Sequence, residues 1–503
     1  MKRDLLLLYQ PASSEEGHRS RIPYGLLYLE RAIRGLGLEV VLVDGQLRPD
    51  VMALLRDGAD RLLLAGVSAM TGFQITGGIA FSLAIKSVSD APVIWGGWHP
   101  SILPEQTLRE PFVDFVVTGQ GERPLRELIL RLQNNSRDFR IAGLGSKTQG
   151  RITLQPPAAF EDLNHLPDLN LDLIDPNAYV FNTAYAKRCL GYFSSHGCPF
   201  HCGFCCVADI YGQRWYPRPP DAILRDLGIL KERAGIDSVT FDDDNFFVNK
   251  SFTRAFLEQL RSSGLNLLWD TSAHAGTFRR QYADEDVERL YRSGCRQIYI
   301  GAESGDPDVL SAIEKHASVE DADAFVRLLK RHGIIPFLST MVGFPEAPKQ
   351  DLRLTLEMIR KAVVHDSRLR ARIFFYTPYP GTRLYANALA HGFHPPETLA
   401  AWAHHTLRRF RAPWIRREHR WALEIFANFY MPLGHPGYFR MVPRAWRPAA
   451  LLLNIFFYPV ARLRFHLGWF RFPVEARMFL FFLRLLNRLF RTRLSLGFES
   501  YLD

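Results

Sequence analysis

The sequence has few cysteines and no long apolar run. It contains six cysteines in 503 residues, four of them within residues 198–206. This distribution builds no disulfide framework and suits a reducing cytoplasm. The apolar run at residues 5–9 is too short for a secretory signal and predicts a buried strand. The longest mostly apolar stretch, residues 449–461, contains Asn454 and Pro459 and falls short of the ~20 residues that span a bilayer.

Lysine is absent from residues 401–503, although this region carries 17 arginines, 5 acidic residues and 23 of the 63 aromatic residues. The region therefore has a net charge of +12, while the rest of the chain sums to −2. Arginines interleaved with aromatic side chains are typical of helices that lie in the headgroup layer of a membrane. We expect peripheral membrane contact here, with a helical cap over the rest of the protein as the alternative. Nucleic acid is not expected, because a generic polyanion-binding surface would normally include lysine.

Residues 1–135 alternate short apolar runs with helical patterns. Strands are predicted at residues 5–9, 40–44, 62–68, 93–96 and 115–118, and helices include 25–36, 77–87 and 124–133. This alternation predicts an α/β fold with a doubly wound, Rossmann-like parallel sheet. No Gly-x-Gly-x-x-Gly sequence opens a helix after the first strand, which disfavours a simple nucleotide-binding domain. Ligands of such sheets bind beyond the carboxyl ends of the strands, where the chain places Ser68, Thr71, Gly96, Gly97, His99 and Glu122.

A second alternation runs from residue 189 to residue 386. Residues 136–188 are punctuated by prolines and predict a linker between the two. Strands are predicted at residues 192–195, 238–241, 267–271, 297–301, 337–342 and 372–376, with helices such as 221–234, 253–263, 284–293 and 349–362. Six strand–helix units in under 200 residues predict a partial (β/α)6 barrel rather than a closed eightfold one. Residues 387–503 are expected to form a separate α-helical C-terminal region.

The loop after the first predicted barrel strand carries Cys198, Cys202 and Cys205. Three closely spaced cysteines can hold three irons of a four-iron cluster and leave the fourth iron open for chemistry. From the spacing alone, a zinc site completed by Cys206 or a histidine remains an alternative, as do unrelated thiols. Cys189 and Cys295 lie far from this loop in sequence and are interpreted as packing residues.

Several short motifs accompany the cysteine loop along the chain. They are GGWHP (96–100), TGQGE (118–122), SSHGC (194–198), FDDDNF (241–246), GAESG (301–305), MVGFPE (341–346) and PYPGT (378–382). In this order and spacing they resemble the cobalamin-binding radical S-adenosylmethionine (SAM) enzymes, over roughly residues 4–386. The resemblance implies a [4Fe-4S] cluster on Cys198, Cys202 and Cys205, whose open iron chelates SAM.

The resemblance also implies cofactor contacts. Contacts to SAM are expected from Phe204, Asp242, Asp243, Glu303, Ser304 and Pro380. Cobalamin is expected in the first domain, with Ser68, Thr71, Gly96, Gly97, His99 and Glu122 as candidate contacts. His99 is explained nearly as well as a structural residue that caps its loop. Because no Asp-x-His-x-x-Gly sequence is present, cobalamin should bind without a histidine ligand from that motif.

The function implied by the resemblance is C-methylation of an unactivated carbon on an apolar substrate, such as a lipid, isoprenoid or tetrapyrrole. The alternative within the class is an oxidative cyclase of the magnesium-protoporphyrin ester type. Methylthiotransferases fit less well, because no cysteine precedes Cys189. From another class, the chain could be a non-catalytic corrinoid carrier or zinc-binding scaffold. An enzyme of this kind needs an electron donor such as flavodoxin or ferredoxin. It would be cytoplasmic, and it would lie on the inner face of the membrane if the basic C-terminal region binds lipid.

Overall fold

The computed structural model describes residues 3–12, 21–47, 50–56, 58–148, 150–347, 349–407 and 409–416, together with 420, 424–425, 429–430, 457–465, 467, 469, 473–479 and 481. The chain divides into two compact units. Unit 1 comprises residues 1–269, 377–386 and 394–410, and unit 2 comprises residues 270–376, 387–393 and 411–503. The candidate residues divide between the two units.

Unit 1 contains a seven-stranded sheet. Its strands are β1 (Leu5–Gln10), β2 (Glu39–Asp44), β3 (Leu62–Ser68), β4 (Val93–Gly96), β5 (Phe115–Val117), β6 (Leu144–Thr148) and β7 (Arg151–Leu154), in the order β2-β1-β3-β4-β5-β6-β7. The first five pair in parallel and the last two add antiparallel. The accompanying helices are α1 (Tyr24–Ile33), α2 (Val51–Arg56), α3 (Gln74–Val88), α4 (Trp98–Ile102), α5 (Pro104–Arg109) and α6 (Glu122–Gln133).

Two apolar clusters cover the two faces of this sheet. Leu5 and Leu7 belong to one cluster, and Leu6 and Leu8 belong to the other. The alternation follows from the two-residue repeat of a strand, so a run of four leucines supplies both faces. The predicted doubly wound sheet is therefore confirmed.

The second sheet has six strands. They are β8 (Cys189–Tyr192), β11 (Ser238–Phe241), β12 (Leu268–Ala273), β13 (Cys295–Glu303), β14 (Ile335–Val342) and β15 (Arg370–Phe375), in the order β15-β14-β13-β12-β11-β8. The printed pairings β8/β11, β13/β14 and β14/β15 are parallel. A short antiparallel pair, β9 (Ser195–His196) and β10 (Tyr216–Pro217), follows β8. This is the partial barrel that the sequence predicts, with β8 and β11 in unit 1 and β13 to β15 in unit 2.

Ten helices accompany the second half of the described chain. They are α7 (Val207–Tyr211), α8 (Pro220–Ala234), α9 (Lys250–Ser262), α10 (Ala275–Gln281), α11 (Asp284–Arg292), α12 (Pro307–Ala312), α13 (Val319–Arg331), α14 (Lys349–His365), α15 (Arg383–Ala390) and α16 (Leu399–Trp402). Of these, α7, α8, α9 and α16 lie in unit 1, and Leu399 and Trp402 of α16 join an apolar cluster of the first sheet.

Most of the basic C-terminal region, including Arg484, Arg488, Arg491 and Arg493, lies outside the described residues. In the part that is described, the Arg464 guanidinium pairs with Glu475 and lies 4.5 Å from the ring centre of Trp469. Within the described ranges, no helix is long and apolar enough to cross a bilayer. The membrane-contact prediction for this region stays a prediction.

Candidate active site

The cysteine loop begins at a glycine turn in unit 1. Gly197 adopts a φ of 80°, and a Cβ added there would lie 2.3 Å from the Arg214 carbonyl oxygen. No other residue fits without a shift of the backbone. The Gly197 N–H donates to Asp244 Oδ2 at 3.1 Å, which fixes the entry to the loop. Further along, the Cys205 N–H donates to the Cys202 carbonyl oxygen at 2.9 Å and closes a tight turn between two of the thiols.

The residues that follow the PYPGT turn pack against the cysteine loop. The Leu384 N–H donates to the Gly203 carbonyl oxygen at 2.8 Å, and a Cβ added at Gly203 would meet the Arg383 guanidinium at 3.2 Å. The Thr382 hydroxyl donates to the Tyr379 carbonyl oxygen at 2.8 Å and stabilises the turn that contains Pro380. The structure thus holds the cysteine loop and the Pro380 turn together, while the contacts of Phe204 and Pro380 with SAM stay predictions.

The four thiols of the loop are buried or half-buried. Cys202 is 8% exposed, and burial raises the pKa of the Cys205 thiol and, to about 12, that of Cys206. Cluster assembly on Cys205 must therefore displace its proton. A four-iron cluster takes one thiolate on each of three irons, and the three closely spaced cysteines suit that arrangement.

The two candidate acids after β11 have separate local partners. Asp243 is buried and accepts hydrogen bonds from the Ser194 N–H and the Ser195 hydroxyl, both at 2.7 Å. Burial raises its pKa to about 6. Asp242 instead contacts the guanidinium of Arg21. Asp243 therefore anchors the segment between β8 and the cysteine loop, and the role of either acid toward SAM stays a prediction.

The remaining SAM candidates lie in unit 2, at the end of β13. Glu303 has a φ of 54° and its carboxylate accepts a 2.8 Å bond from Lys315 Nζ, with both residues buried. A Cβ added at Gly301 would lie 2.2 Å from Glu303 Oε1, so the glycine makes room for this carboxylate. Ser304 is fully buried and donates its hydroxyl to Asp351 at 2.5 Å. Lys315 was not singled out from the sequence, since nothing in the local pattern distinguishes it from a surface lysine.

A cleft of about 1320 Å³, its open mouth included, lies at the carboxyl ends of the strands of unit 1. Four predicted cobalamin contacts line it, namely Ser68, Gly96, Gly97 and Glu122. Thr71 and His99 are not among the lining residues. They bond to each other at 3.0 Å, and burial, followed by the nearby His405, lowers the pKa of fully buried His99 to about 4.

Missing side chains give the cleft its width. A Cβ added at Gly25 or Gly119 would meet nothing within 4 Å, and one added at Gly96 would meet only Val117 at 3.9 Å. All three glycines line the cleft, so a large ligand can approach their backbones closely. The cleft therefore fits a corrinoid.

Filling this space should exclude the ligand without disturbing the fold. We expect Gly96→Val to weaken cobalamin binding by roughly tenfold or more, about 1.4 kcal/mol, because its branched side chain would project into the cleft. Cobalamin retained after anaerobic gel filtration measures the effect. Gly228→Val, at an open position on α8 outside the cleft, is the matched control and should bind normally. Equal binding by the two variants would place the corrinoid elsewhere.

The opposite wall of the cleft comes from the start of the barrel. It includes His196, Tyr211, Tyr216 and Arg218, none of which was predicted as a cobalamin contact. Burial, with the nearby guanidiniums of Arg218 and Arg31, lowers the pKa of His196 to about 4, so its imidazole is neutral. Its ring packs between Phe193 and Tyr211, with centroids 5.8 and 6.2 Å away. The SSHGC motif contains His196, but nothing in the sequence indicates that it faces the first domain.

Arg218 is held in place by a buried ion pair. Its Nη1 lies 2.7 Å from Asp226 Oδ2, which also accepts a 2.7 Å bond from the Tyr192 hydroxyl. The side chains of Arg218 and Asp226 are 5% and 1% exposed. This wall is therefore rigid and carries one fixed guanidinium.

The pKa of the Glu122 side chain, at the start of α6, leads to a testable dependence of stability on pH. Burial raises its pKa from about 4.5 to about 7, although the nearby Arg31 and its own helix amides oppose the shift. Because the unfolded chain ionises at the lower pKa, the folded state loses stability as pH rises from about 4.5 to about 7, with no further loss above.

We expect Glu122→Gln to remove this loss. The variant should melt at a higher temperature than the parent at about pH 8, and the difference should shrink to near zero below about pH 4.5. Thermal unfolding followed across this pH range measures it. A pH-independent difference would mean that Glu122 titrates normally.

Models of two known families match the chain in separate stretches. A B12 binding domain matches residues 21–129, and the radical SAM superfamily matches residues 192–359. A methyltransferase of Pyrococcus horikoshii, itself uncharacterised, is 28% identical over 374 residues, which cover 73% of this chain and 78% of that protein. The anaerobic magnesium-protoporphyrin IX monomethyl ester cyclase of Synechocystis is 24% identical over 374 residues, covering 73% of this chain and 72% of the cyclase.

Solved structures with the same fold contain the expected cofactors. The radical SAM methyltransferase TsrM from Kitasatospora setae, with cobalamin and a [4Fe-4S] cluster bound, aligns over 79% of this chain and 76% of its own, with a TM-score of 0.62 and 21% identity. OxsB, a cobalamin-dependent radical SAM enzyme with aqua-cobalamin and SAM bound, aligns over 96% of this chain and 75% of its own, with a TM-score of 0.71 and 15% identity. At these identities the likeness concerns the fold.

Proposed function

The chain belongs to the cobalamin-dependent radical SAM enzymes, whose B12-binding and radical SAM domains it carries in that order, and from this we propose that it is a C-methyltransferase. Its cofactors are a [4Fe-4S] cluster, SAM and cobalamin. We propose that it methylates an unactivated carbon on a substrate with an apolar body. A methyltransferase among the relatives supports the reaction class.

One observation carries the proposal. Within unit 1, the cleft that fits the corrinoid is walled by residues that flank the cysteine loop in sequence. His196 precedes Cys198 by two residues, and Tyr211 ends α7, the helix for which Cys206 is the N-cap. A methyl donor in the cleft therefore lies beside the loop that would hold the cluster. This proximity is what transfer of a methyl group to a substrate radical requires.

When bound, the cluster supplies one electron to SAM and the corrinoid supplies the methyl group. Two SAM, two electrons and the substrate give the methylated product, methionine, 5′-deoxyadenosine and S-adenosylhomocysteine. The methyl group replaces the hydrogen that 5′-deoxyadenosine carries away, so no further proton is needed. We propose a flavodoxin or ferredoxin as the source of the electrons.

The residues of the chain bind and orient these groups. Gly25, Gly96 and Gly119 give the corrinoid access to the backbone, and Arg218 offers a fixed donor on the opposite wall. Neutral His196 can donate or accept one hydrogen bond without adding charge to the cleft. The turn around Pro380 holds the cysteine loop in shape. None of these side chains acts as the methyl donor.

An oxidative cyclase is the second candidate, because the Synechocystis cyclase covers as much of the chain as the methyltransferase does. The two reactions differ in their products. A methyltransferase forms one S-adenosylhomocysteine for each 5′-deoxyadenosine, whereas a cyclase transfers no methyl group and forms none.

The test is anaerobic reconstitution with iron, sulfide and hydroxocobalamin, followed by reaction with methyl-deuterated SAM, a reductant and a lipid extract. Equal amounts of 5′-deoxyadenosine and S-adenosylhomocysteine, with deuterated methyl in an extracted product, support the proposal. 5′-Deoxyadenosine with substrate conversion but no label would favour the cyclase. Zinc in place of iron, with no bound corrinoid, would favour a scaffold.

We also propose that the C-terminal region contacts a membrane surface. Several large apolar side chains in its described part are exposed, among them Leu463 at 55%, Leu467 at 64% and Phe481 at 65%. Together with the surplus of arginine, they suit the headgroup layer of an anionic bilayer. Sedimentation with phosphatidylglycerol vesicles, and its absence with phosphatidylcholine vesicles, tests this contact.

A further inference from the structure

The strands of unit 2 expose one face that the proposed chemistry has not used. Along β14, Leu338, Thr340 and Val342 are buried, whereas Phe337, Ser339 and Met341 between them are only partly so. The same alternation continues in β15, where Ala371 and Ile373 are buried and Arg372 is exposed. The buried set faces the helices of the unit, and the other set forms the inner face of the partial barrel.

Strand register places the inner-face residues in three rows. The first row is Tyr299, Phe337 and Arg370, and the second is Gly301, Ser339 and Arg372. In the third row Met341 lies beside Phe374. The rings of Tyr299 and Phe337 are 4.5 Å apart, so the first row is largely aromatic. We call these three rows the inner platform.

The charges on the inner platform are not balanced. Glu303, the acid beside Gly301, is already paired with Lys315 at 2.8 Å. Within the described part of the chain, neither the Arg370 nor the Arg372 side chain forms a hydrogen bond or ion pair. The Arg372 guanidinium lies 5.5 Å from the ring centre of Phe374, a cation–π contact that aligns it without neutralising it. Two positive charges thus face an apolar and aromatic surface.

We propose that the inner platform binds the substrate, and that this substrate carries an anionic group, a carboxylate or phosphate, on an apolar body. Arg372 binds the anion, with Arg370 one row away, and Tyr299, Phe337, Met341 and Phe374 contact the apolar body. A planar guanidinium suits this role because it matches the two oxygens of a carboxylate or phosphate. The inference rests on the proposed function in one respect: it assumes that the substrate of this enzyme binds at the inner face of the partial barrel.

Two other occupants fit less well. The basic C-terminal region, with a net charge of +12, does not complement a surface that already carries two guanidiniums. The carboxylate of SAM offers the same chemistry as a substrate anion. However, the open iron of the cluster is expected to chelate that carboxylate. The experiment separates these two sources.

Binding to the anaerobically reconstituted enzyme is measured by calorimetry with three probes that share one apolar chain: farnesyl diphosphate, farnesoic acid and farnesol. We expect the two anions to bind about ten- to hundredfold more tightly than farnesol. Arg372→Met should remove most of this preference, and Arg372→Lys should keep part of it because the charge remains. Arg353→Met, on a surface arginine of α14 with a 68% exposed side chain, is the control and should keep all of it.

Equal binding of the three probes, or no binding, would overturn the proposal. A preference for anions that Arg372→Met leaves intact would also overturn it. If Arg372→Met lowers the affinity for SAM while the probes are still distinguished, the guanidinium serves the SAM carboxylate instead. Failure of the proposed function appears separately, as 5′-deoxyadenosine formed with substrate conversion but without S-adenosylhomocysteine. Probe binding does not depend on that ratio.

Discussion

Cys202→Ala is expected to abolish the reductive cleavage of SAM, by more than about a thousandfold or about 4 kcal/mol of barrier, while cobalamin binding is retained. Cys202 is buried and its carbonyl closes the turn with Cys205, so its thiol is fixed in the loop. Its loss leaves two thiolates for a cluster that needs three. The corrinoid cleft shares no residue with the three cysteines, so the visible spectrum of bound cobalamin should persist while that of the cluster disappears.

Two other cysteines provide controls for this result. Cys206→Ala changes the adjacent thiol in the same loop and should leave cluster content unchanged. Cys295→Ala removes a buried thiol of β13 in the other unit and should cost only stability, about 1 kcal/mol. Iron and labile sulfide per chain are the measurements. If the cluster survives in Cys202→Ala and is lost in Cys206→Ala, then Cys206, and not Cys202, is a cluster ligand.

The second large effect is expected at the Glu303–Lys315 pair. Both side chains are under 10% exposed, at 8% and 9%, and their charged atoms are 2.8 Å apart. Glu303→Gln leaves the Lys315 ammonium buried without an acid, which should lower the free energy of unfolding by about 3–5 kcal/mol. Lys315→Met should have a similar effect, because it leaves the carboxylate unpaired. Chemical unfolding of the cofactor-free protein measures both.

The double variant separates stability from function. Glu303→Gln with Lys315→Met removes both charges and should recover much of the lost stability. If Glu303 contacts SAM, the SAM affinity of the double variant will stay low even though its stability is recovered. Recovery of SAM affinity along with stability would show that the pair only supports the fold. Lys361→Met, at an exposed pair with Glu357 on α14, should change stability by less than about 1 kcal/mol.

The parallel strands were the most predictable part of the fold. The predicted strands at residues 62–68 and 93–96 match β3 and β4, because their apolar runs are bounded by small and polar residues. The strands β6 and β7 were missed and their region was interpreted as linker. They are only five and four residues long and mix polar with apolar side chains, so their apolar pattern is too short to detect. α3 begins at Gln74, three residues before its predicted start, without a side-chain cap to mark it.

A candidate site is most readily predicted where one short segment supplies the chemistry. The spacing of Cys198, Cys202 and Cys205 predicts the cluster loop, because the three candidate ligands are close in sequence. The far wall of the cleft was not predicted, since His196 and Arg218 meet the first domain only through the fold. Lys315 was missed for the same reason, because a turn of the chain after α12 brings it back to Glu303.

Contacts within unit 1 limit how such enzymes can exchange parts during evolution. The Tyr24 hydroxyl donates to the Gly191 carbonyl oxygen at 3.1 Å, and its ring packs edge-on against Tyr192. Arg31 donates to the carbonyl oxygens of Leu163 and Leu166, both at 3.0 Å. A gene fusion joined near residue 188 would have to re-form these contacts between unmatched sequences. Recombination should therefore transmit the corrinoid domain, the linker and the cysteine loop as one inherited block.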